Sequence, residues 1–160
     1  MIRRAEEKDL MQLVQCAKEY VTESGFFNGL HFDEDKALTS IAVRSLSEDC
    51  VACVAVDGDV VLGVVSANID ASWTREAIAF EEIFYIRPEH RNARVAIKLC
   101  DFFIKECKMQ GAKKIFSSST AGFDDNGKNA NAFTKLLKRF GFKEIKGGCV
   151  LIKDLAHEQV

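Results

Sequence analysis

Two adjacent carboxylates, Glu81 and Glu82, interrupt an otherwise apolar stretch running from Ala77 to Ile86. Burying a carboxylate costs free energy unless the group is paired, hydrogen-bonded or protonated. One of the two can face solvent or pair with a lysine. The other can take a proton from a reacting group, directly or through water. Alternation along a strand puts Glu82 on the face of Phe84 and Ile86, with Glu81 opposite, which favours Glu82. A bulge would reverse that phase and favour Glu81.

A second chemical signal lies just downstream. The strand through Phe84, Tyr85 and Ile86 stops at Pro88, the single proline, and a long helix begins after Arg91. Ala96, Cys100, Phe103 and Cys107 fall at helical spacing on one face, with Lys98, Asp101, Lys105 and Lys108 on the other. A helix entered from a strand offers unpaired N–H groups and the positive end of its dipole, which together hold phosphates.

The elements that must carry these groups are legible in order. Ile2 to Arg4 reads as a short strand, and Leu10, Leu13, Val14, Ala17 and Val21 as a helix ending near Ser24. Asp33 opens a second helix, with Leu38, Ile41 and Ala42 inward. Val51–Val56 and Val60–Ile69, joined by Asp57-Gly58-Asp59, form a hairpin. Both are nearly continuous apolar runs, so the sheet they belong to has helices on both faces. Lys114–Ser119 reads as a strand and Asn129 or Asn131 as the cap of a last helix; Phe142–Ile145 and Cys149–Ile152 read as a closing hairpin. Of the remaining polar groups, His31, Trp73, Ser119, Asp124 and Asp125 lie in loops or at a strand end where they could border a site. Each has a plainer reading as a solvated or backbone-satisfying side chain.

Composition narrows the class. The 160 residues, 48% hydrophobic, suit one domain with a real core. No signal peptide or membrane-length apolar run is visible, so a soluble, cytoplasmic protein is expected. The six cysteines, including Cys50-x-x-Cys53, lack a second pair at metal-binding spacing and read as reduced buried thiols, with no metal. Residues 1–82 hold 7 Lys/Arg against 16 Asp/Glu, and residues 83–160 hold 15 against 8. The basic half suits a cofactor with several phosphates and the acidic half a cationic amine; ordinary surface patterning explains the split equally well. No interleaving of basic and aromatic residues suggests a nucleic-acid groove.

Ile86-Arg87-Pro88 followed by Arg91-Asn92-Ala93-Arg94-Val95-Ala96 resembles motif A of the GNAT superfamily of acetyl-CoA-dependent N-acetyltransferases. Asn129-Ala130-Asn131-Ala132-Phe133, with Phe140-Gly141-Phe142, resembles that family's motif B. The resemblance implies an α/β fold with a mixed, mostly antiparallel central sheet flanked by helices on both faces, as a single domain over residues 1–160. It implies acetyl-CoA as cosubstrate, with its pyrophosphate wrapped by the backbone of Arg91 through Ala96. Phe84, Tyr85 and Ile86 would border the pantetheine arm where two strands splay, and Asn129 or Asn131 would approach the coenzyme. Glu82 or Glu81 would deprotonate an amine acceptor, which attacks directly in a ternary complex. Arg94 stands where the family has glycine, and its side chain can swing out and add positive charge. Leu137 stands where many members have a tyrosine acting as general acid; Tyr85 is the substitute. The acceptor is left unnamed, and a homodimer is left open. Two rivals fit the same residues: a degenerate domain that binds a partner or senses coenzyme, and a nucleotide binder using the same helix end.

Overall fold

The structure, a computed structural model, describes residues 1–24, 27, 29–118 and 128–145, with backbone alone for 128–130. The hairpin is its centre. Strand β2 (Cys50–Asp57) and strand β3 (Val60–Asp70) pair antiparallel around Gly58, whose φ of +55° meets the tight turn without the cost of a Cβ. Strand β1 (Ile2–Arg4) adds to β2, and β4 (Ala77–Ile86) to β3, both antiparallel. Strand β5 (Ala112–Phe116) joins β4 in parallel, giving one sheet in the order β1-β2-β3-β4-β5.

Helices cover both faces because both faces of the hairpin are apolar. Helix α1 (Leu10–Glu23) lays Leu13, Cys16 and Tyr20 on Val54, Val56, Val61, Val64 and Tyr85. Helix α2 (Glu34–Ser45) packs beside α1, and its N-cap Asp33 accepts from the Lys36 N–H at 3.0 Å. On the opposite face α3 (Ala93–Met109) lays Leu99, Phe103 and Cys107 on Val51, Cys53, Ala55, Val65, Ala67 and Ala79. Helix α4 (Lys128–Arg139) follows β5. This is the expected α/β arrangement: a mixed, mostly antiparallel sheet with helices on both faces. No described helix is long and apolar enough to cross a membrane.

Four details differ from the sequence reading. The fifth strand is Ala112–Phe116, earlier than Lys114–Ser119, because its pairing with β4 ends at Phe80↔Phe116. Residues 142–145 form no strand, and Cys149–Ile152 lies outside the described residues. Helix α4 starts at Lys128, so Asn131 is its fourth residue and does not cap it. Finally, β4 carries a bulge: Ser66 faces Ile83 and Ala67 faces Glu81, leaving Glu82 without a cross-strand partner.

That bulge resets the phase of the strand. Ile83 and Tyr85 pack toward α1, while Phe84 and Ile86 pack toward α3. Glu81 pairs with Ala67 and follows Ala79 by two, both in the α3-side core, so it shares the Phe84 and Ile86 face. Glu82 points the other way, to Arg44 of α2. The uninterrupted alternation expected from the sequence is therefore wrong for these two residues.

Gly63 sets how closely β3 approaches the end of β4. A Cβ there would lie 2.7 Å from the Tyr85 carbonyl oxygen and 2.9 Å from Ile86 Cγ1. Gly63→Ala should destabilise the protein by about 1–3 kcal/mol through that overlap. Thermal unfolding should show a Tm lowered by roughly 2–12 °C.

Candidate active site

At the end of β4, three elements enclose a cleft of about 540 Å³. Its floor is Phe84, Tyr85 and Ile86; one wall is the start of α3, with Arg91, Asn92, Ala93, Ala96 and Ile97; the other is α4, with Ala132, Phe133, Lys135, Leu136 and Arg139. Tyr20, Glu23 and Ser24 close the side toward α1. The α4 residues recur at helical spacing, so one face of that helix is turned to the cleft. Phe84 and Phe133 bring floor and wall together, with ring centroids 5.0 Å apart.

The floor is an open strand edge. Pairing of β4 with β5 stops at Phe80↔Phe116, while β3 continues beside β4 to Gly63↔Ile86. Among the described residues, Glu81 to Ile86 therefore have a strand neighbour on one side alone. An amide-bearing chain entering the fork would find backbone donors and acceptors already extended.

The wall at α3 offers a prepared helix end. Pro88–His90 forms a short 3-10 turn, and Asn92 then caps α3, its Oδ1 accepting from the Val95 N–H at 3.0 Å. That cap takes the Val95 N–H and the Asn92 carbonyl takes the Ala96 N–H, which leaves the amides ahead of them in the first turn, with the dipole behind, for a phosphate. Arg91 contributes differently from a free cation. Its Nε donates to the Ile86 carbonyl at 2.7 Å, its two terminal nitrogens donate to Glu23, and its guanidinium lies 5.4 Å from the Tyr85 ring centroid. Glu23 keeps that guanidinium firmly charged, and the pair braces the loop against α1. Tyr85 donates to Glu19 at 3.3 Å; burial first, and the carboxylates Glu19 and Glu23 next, push its phenol upward, so it stays protonated.

The two glutamates sit at the fork itself. Once the bulge is counted, Phe84 is the next residue after Glu81 on its face, so the carboxyl lies just beneath the cleft floor. Ser117, the first residue past β5, donates its hydroxyl to Glu81 Oε2 at 2.7 Å. Burial pushes Glu81 up to about 7 against the opposing pull of Ser117 and the Ser118 backbone. Glu82, more exposed, also titrates above the usual range through burial, while its ion pair with Arg44 opposes the shift.

Of the residues singled out from sequence, Phe84, Tyr85, Ile86, Arg91, Asn92, Ala93 and Ala96 line the cleft. Arg94 and Val95 belong to the same helical turn but do not line it, Arg94 being exposed. Asn131 is exposed on α4, and the side chain of Asn129 lies outside the described residues, as do Ser119, Asp124 and Asp125. His31 is exposed and does not line the cleft, and Trp73, 92% exposed, sits in the turn before β4. The five described cysteines are buried and unbridged, with Cys53, Cys100 and Cys107 each pushed up to about 12 by burial, so none is a nucleophile at neutral pH. Sequence reasoning missed Glu23, Arg44, Ser117, Lys135 and Arg139. The last two were findable, lying four apart on a helix already expected.

The Arg91–Glu23 brace makes a measurable claim. In a double-mutant cycle, Arg91→Gln and Glu23→Gln should each lower the Tm, and the double variant should lose less than their sum, with a coupling of about 0.5–1 kcal/mol. Strict additivity would remove the brace.

Comparison with known proteins agrees with this geometry. No curated protein sequence matches the chain. Among solved structures, a predicted acetyltransferase with acetyl-CoA from Clostridium acetobutylicum superposes with a TM-score of 0.73 at 16% identity, covering 99% of each chain. AAC(6')-Iy in complex with a CoA-containing bisubstrate analog gives 0.72 at 18%, covering 96% of this chain and 97% of its own. An aminoglycoside acetyltransferase from an uncultured soil metagenomic sample, in complex with sisomicin, gives 0.68 at 14%, with 96% of each chain covered. These likenesses establish the fold. The model of the acetyltransferase (GNAT) family matches residues 10–142, spanning α1, the fork and α4, and the chain accordingly belongs to that family.

Proposed function

We propose that the protein is an N-acetyltransferase that moves an acetyl group from acetyl-CoA to a primary amine in a ternary complex. The observation that carries the proposal is the fork: an open β4 edge, a capped helix end and a cleft of about 540 Å³ meet at one place. The amides at the start of α3 hold the pyrophosphate, Lys135 and Arg139 add charge from α4, and the β4 edge pairs with the pantetheine amides. When bound, the coenzyme supplies an activated thioester carbonyl.

The chain's own groups supply the proton handling. An alkylamine with a pKa near ~10.4 arrives protonated and must lose a proton to attack. Glu81, with a pKa of about 7, takes it directly or through one water. The amine nitrogen then bonds to the carbonyl carbon, the carbon–sulfur bond breaks, and the sulfur departs as thiolate. A thiolate, with a thiol pKa near ~8.5, can leave without full protonation; with Leu137 outside the cleft lining, Tyr85 and Tyr20 are the phenols that line it, and Tyr85 is the candidate to return a proton. Glu81 replaces Glu82 as the favoured base because the bulge exchanges their faces and Arg44 already engages Glu82.

Thermal unfolding with and without acetyl-CoA tests the coenzyme site. At a hundredfold excess over Kd, acetyl-CoA should add roughly 2.7 kcal/mol, or on the order of 5–11 °C. ATP should give no comparable shift, and a shift with ATP alone would overturn the reading.

The base has its own signature. Turnover should fall as pH drops through about 7, and Glu81→Gln should abolish that limb while sparing coenzyme affinity. If Glu82→Gln alone does so, the assignment is reversed. Stability moves with the opposite sense. Between about 4.5 and about 7 the folded state holds a proton on Glu81 that the unfolded state has lost, so stability declines as pH rises across that window. Glu81→Gln should therefore gain in Tm over the wild type through that window and hold the gain above it.

A further inference from the structure

Phe80 and Phe116 are an anomaly in this fold. Their rings stack with centroids 5.5 Å apart and planes 16° from parallel, yet they remain 42% and 38% exposed. Neither belongs to the apolar cores under α1 and α3. They form the last cross-strand pair of β4 and β5, so they stand at the point where the fork opens. The residue after each is part of the proposed proton relay: Glu81 follows Phe80, and Ser117 follows Phe116.

The pair lies on the side of the sheet opposite Phe84 and the core under α3. Ala79 and Ile115 pack into the core under α3, so alternation turns Phe80 and Phe116 toward the α1/α2 face, where Glu82 meets Arg44. Two walls of the cleft, the start of α3 and α4, meet Phe84 on the other face, while Tyr20, Glu23 and Ser24 close the cleft from the α1 side at the end of β4. A coenzyme filling that cleft leaves the fork approachable from the Phe80–Phe116 face, and an acceptor entering there passes the two rings. Exposed aromatic faces beside a reaction site are binding surface.

Resting on the acetyltransferase reading, we infer that the acceptor is a primary amine carried on a flat aromatic body, seated against the Phe80–Phe116 stack. The stack offers a near-planar apolar surface about one residue from Glu81. An ammonium arriving over those rings also gains from their negative faces. A polycation of the aminoglycoside type finds less here: the carboxylate this face sets beside Phe80 is Glu82, already neutralised by Arg44. Phe80 and Phe116 thus determine specificity, and Glu81 receives the proton on the far side of the opening.

The test titrates three amines into the full chain saturated with CoA, by calorimetry: 2-phenylethylamine, 2-cyclohexylethylamine and sisomicin. Phenylethylamine should bind at least tenfold more tightly than its saturated analogue and more tightly than sisomicin. Phe80→Leu and Phe116→Leu keep apolar volume and should erase the preference, whereas Phe116→Tyr keeps the ring and should retain it, which separates lost stacking from lost folding. Equal or reversed affinities, or a preference that survives both leucine variants, would overturn the inference. Thiol release from acetyl-CoA is read in parallel. Preferential binding without transfer upholds the seat and sinks the acetyltransferase reading; transfer without preference sinks the seat alone.

Discussion

A strand edge left open inside the fold is the constraint on which the site depends. Among the described residues, β4 is paired along both edges as far as Phe80, and along one from Glu81 to Ile86. Backbone N–H and C=O groups require partners, so a ligand that displaces water from this edge is favoured when it brings donors and acceptors of its own, as amides do. This separates the coenzyme from its rivals. A nucleotide satisfies the end of α3 with its phosphates but has no amides for the strand. A pantetheine arm satisfies both at once, and the six open residues, at about 3.3 Å each, give it on the order of 20 Å of edge. Helix α4 stands beside Phe84 through Phe133, so the opening is lined, and among the described residues no further strand closes it.

The bulge at Glu82 makes two adjacent carboxylates into different chemical objects. Without it, alternation would set Glu82 beneath the cleft floor and Glu81 on the α2 side. With it, Glu81 is drawn into the low-dielectric ground between Ser117 and the α3 core, and burial lifts it to about 7. Glu82 meets the guanidinium of Arg44 instead. A general base works best when its pKa lies near the working pH, and a carboxylate held by an arginine is poorly placed for that work. The same backbone irregularity widens the local twist. It falls immediately beyond the last β4–β5 pair, where the strands must part.

What the sequence disclosed and what it withheld divide along sequence separation. The hairpin around Gly58, the Asn92–Val95 entry to α3 and the apolar faces of α1 and α3 are local, set by turn chemistry, capping and period, and the chain announces them. The groups that tune the site are paired over long distances: Arg91 with Glu23, 68 residues apart, Arg44 with Glu82, 38 apart, and Ser117 with Glu81, 36 apart. No periodicity encodes such meetings. The serine run after β5 drew attention to Ser119, which lies outside the described residues, whereas Ser117, the first residue past the strand's end at Phe116, is the hydroxyl that meets Glu81. The phase of β4 depended on a single extra residue, and a one-residue slip inverts every side chain beyond it.

Charge shows the same lesson at a larger scale. The acidic first half and basic second half invite a reading in terms of ligands, yet part of that asymmetry is consumed within the fold. Glu23 meets Arg91 and Glu19 faces Arg87 at 3.4 Å, joining α1 from the acidic half to the end of β4 and its loop from the basic half. Arg91 therefore brings little uncompensated charge to a phosphate, although it stands at the head of the motif. Its contacts with Ile86 and Glu23 fix the loop that leads into Asn92 and the first turn of α3. On the proposed reading, phosphate affinity then falls to the free amides of the first turn of α3 and to Lys135 and Arg139, which line the facing wall. Such a division suits a coenzyme that must leave after each turnover: amides fixed by a brace select its geometry, while two cations on a solvent-facing helix attract it without burying an ion pair.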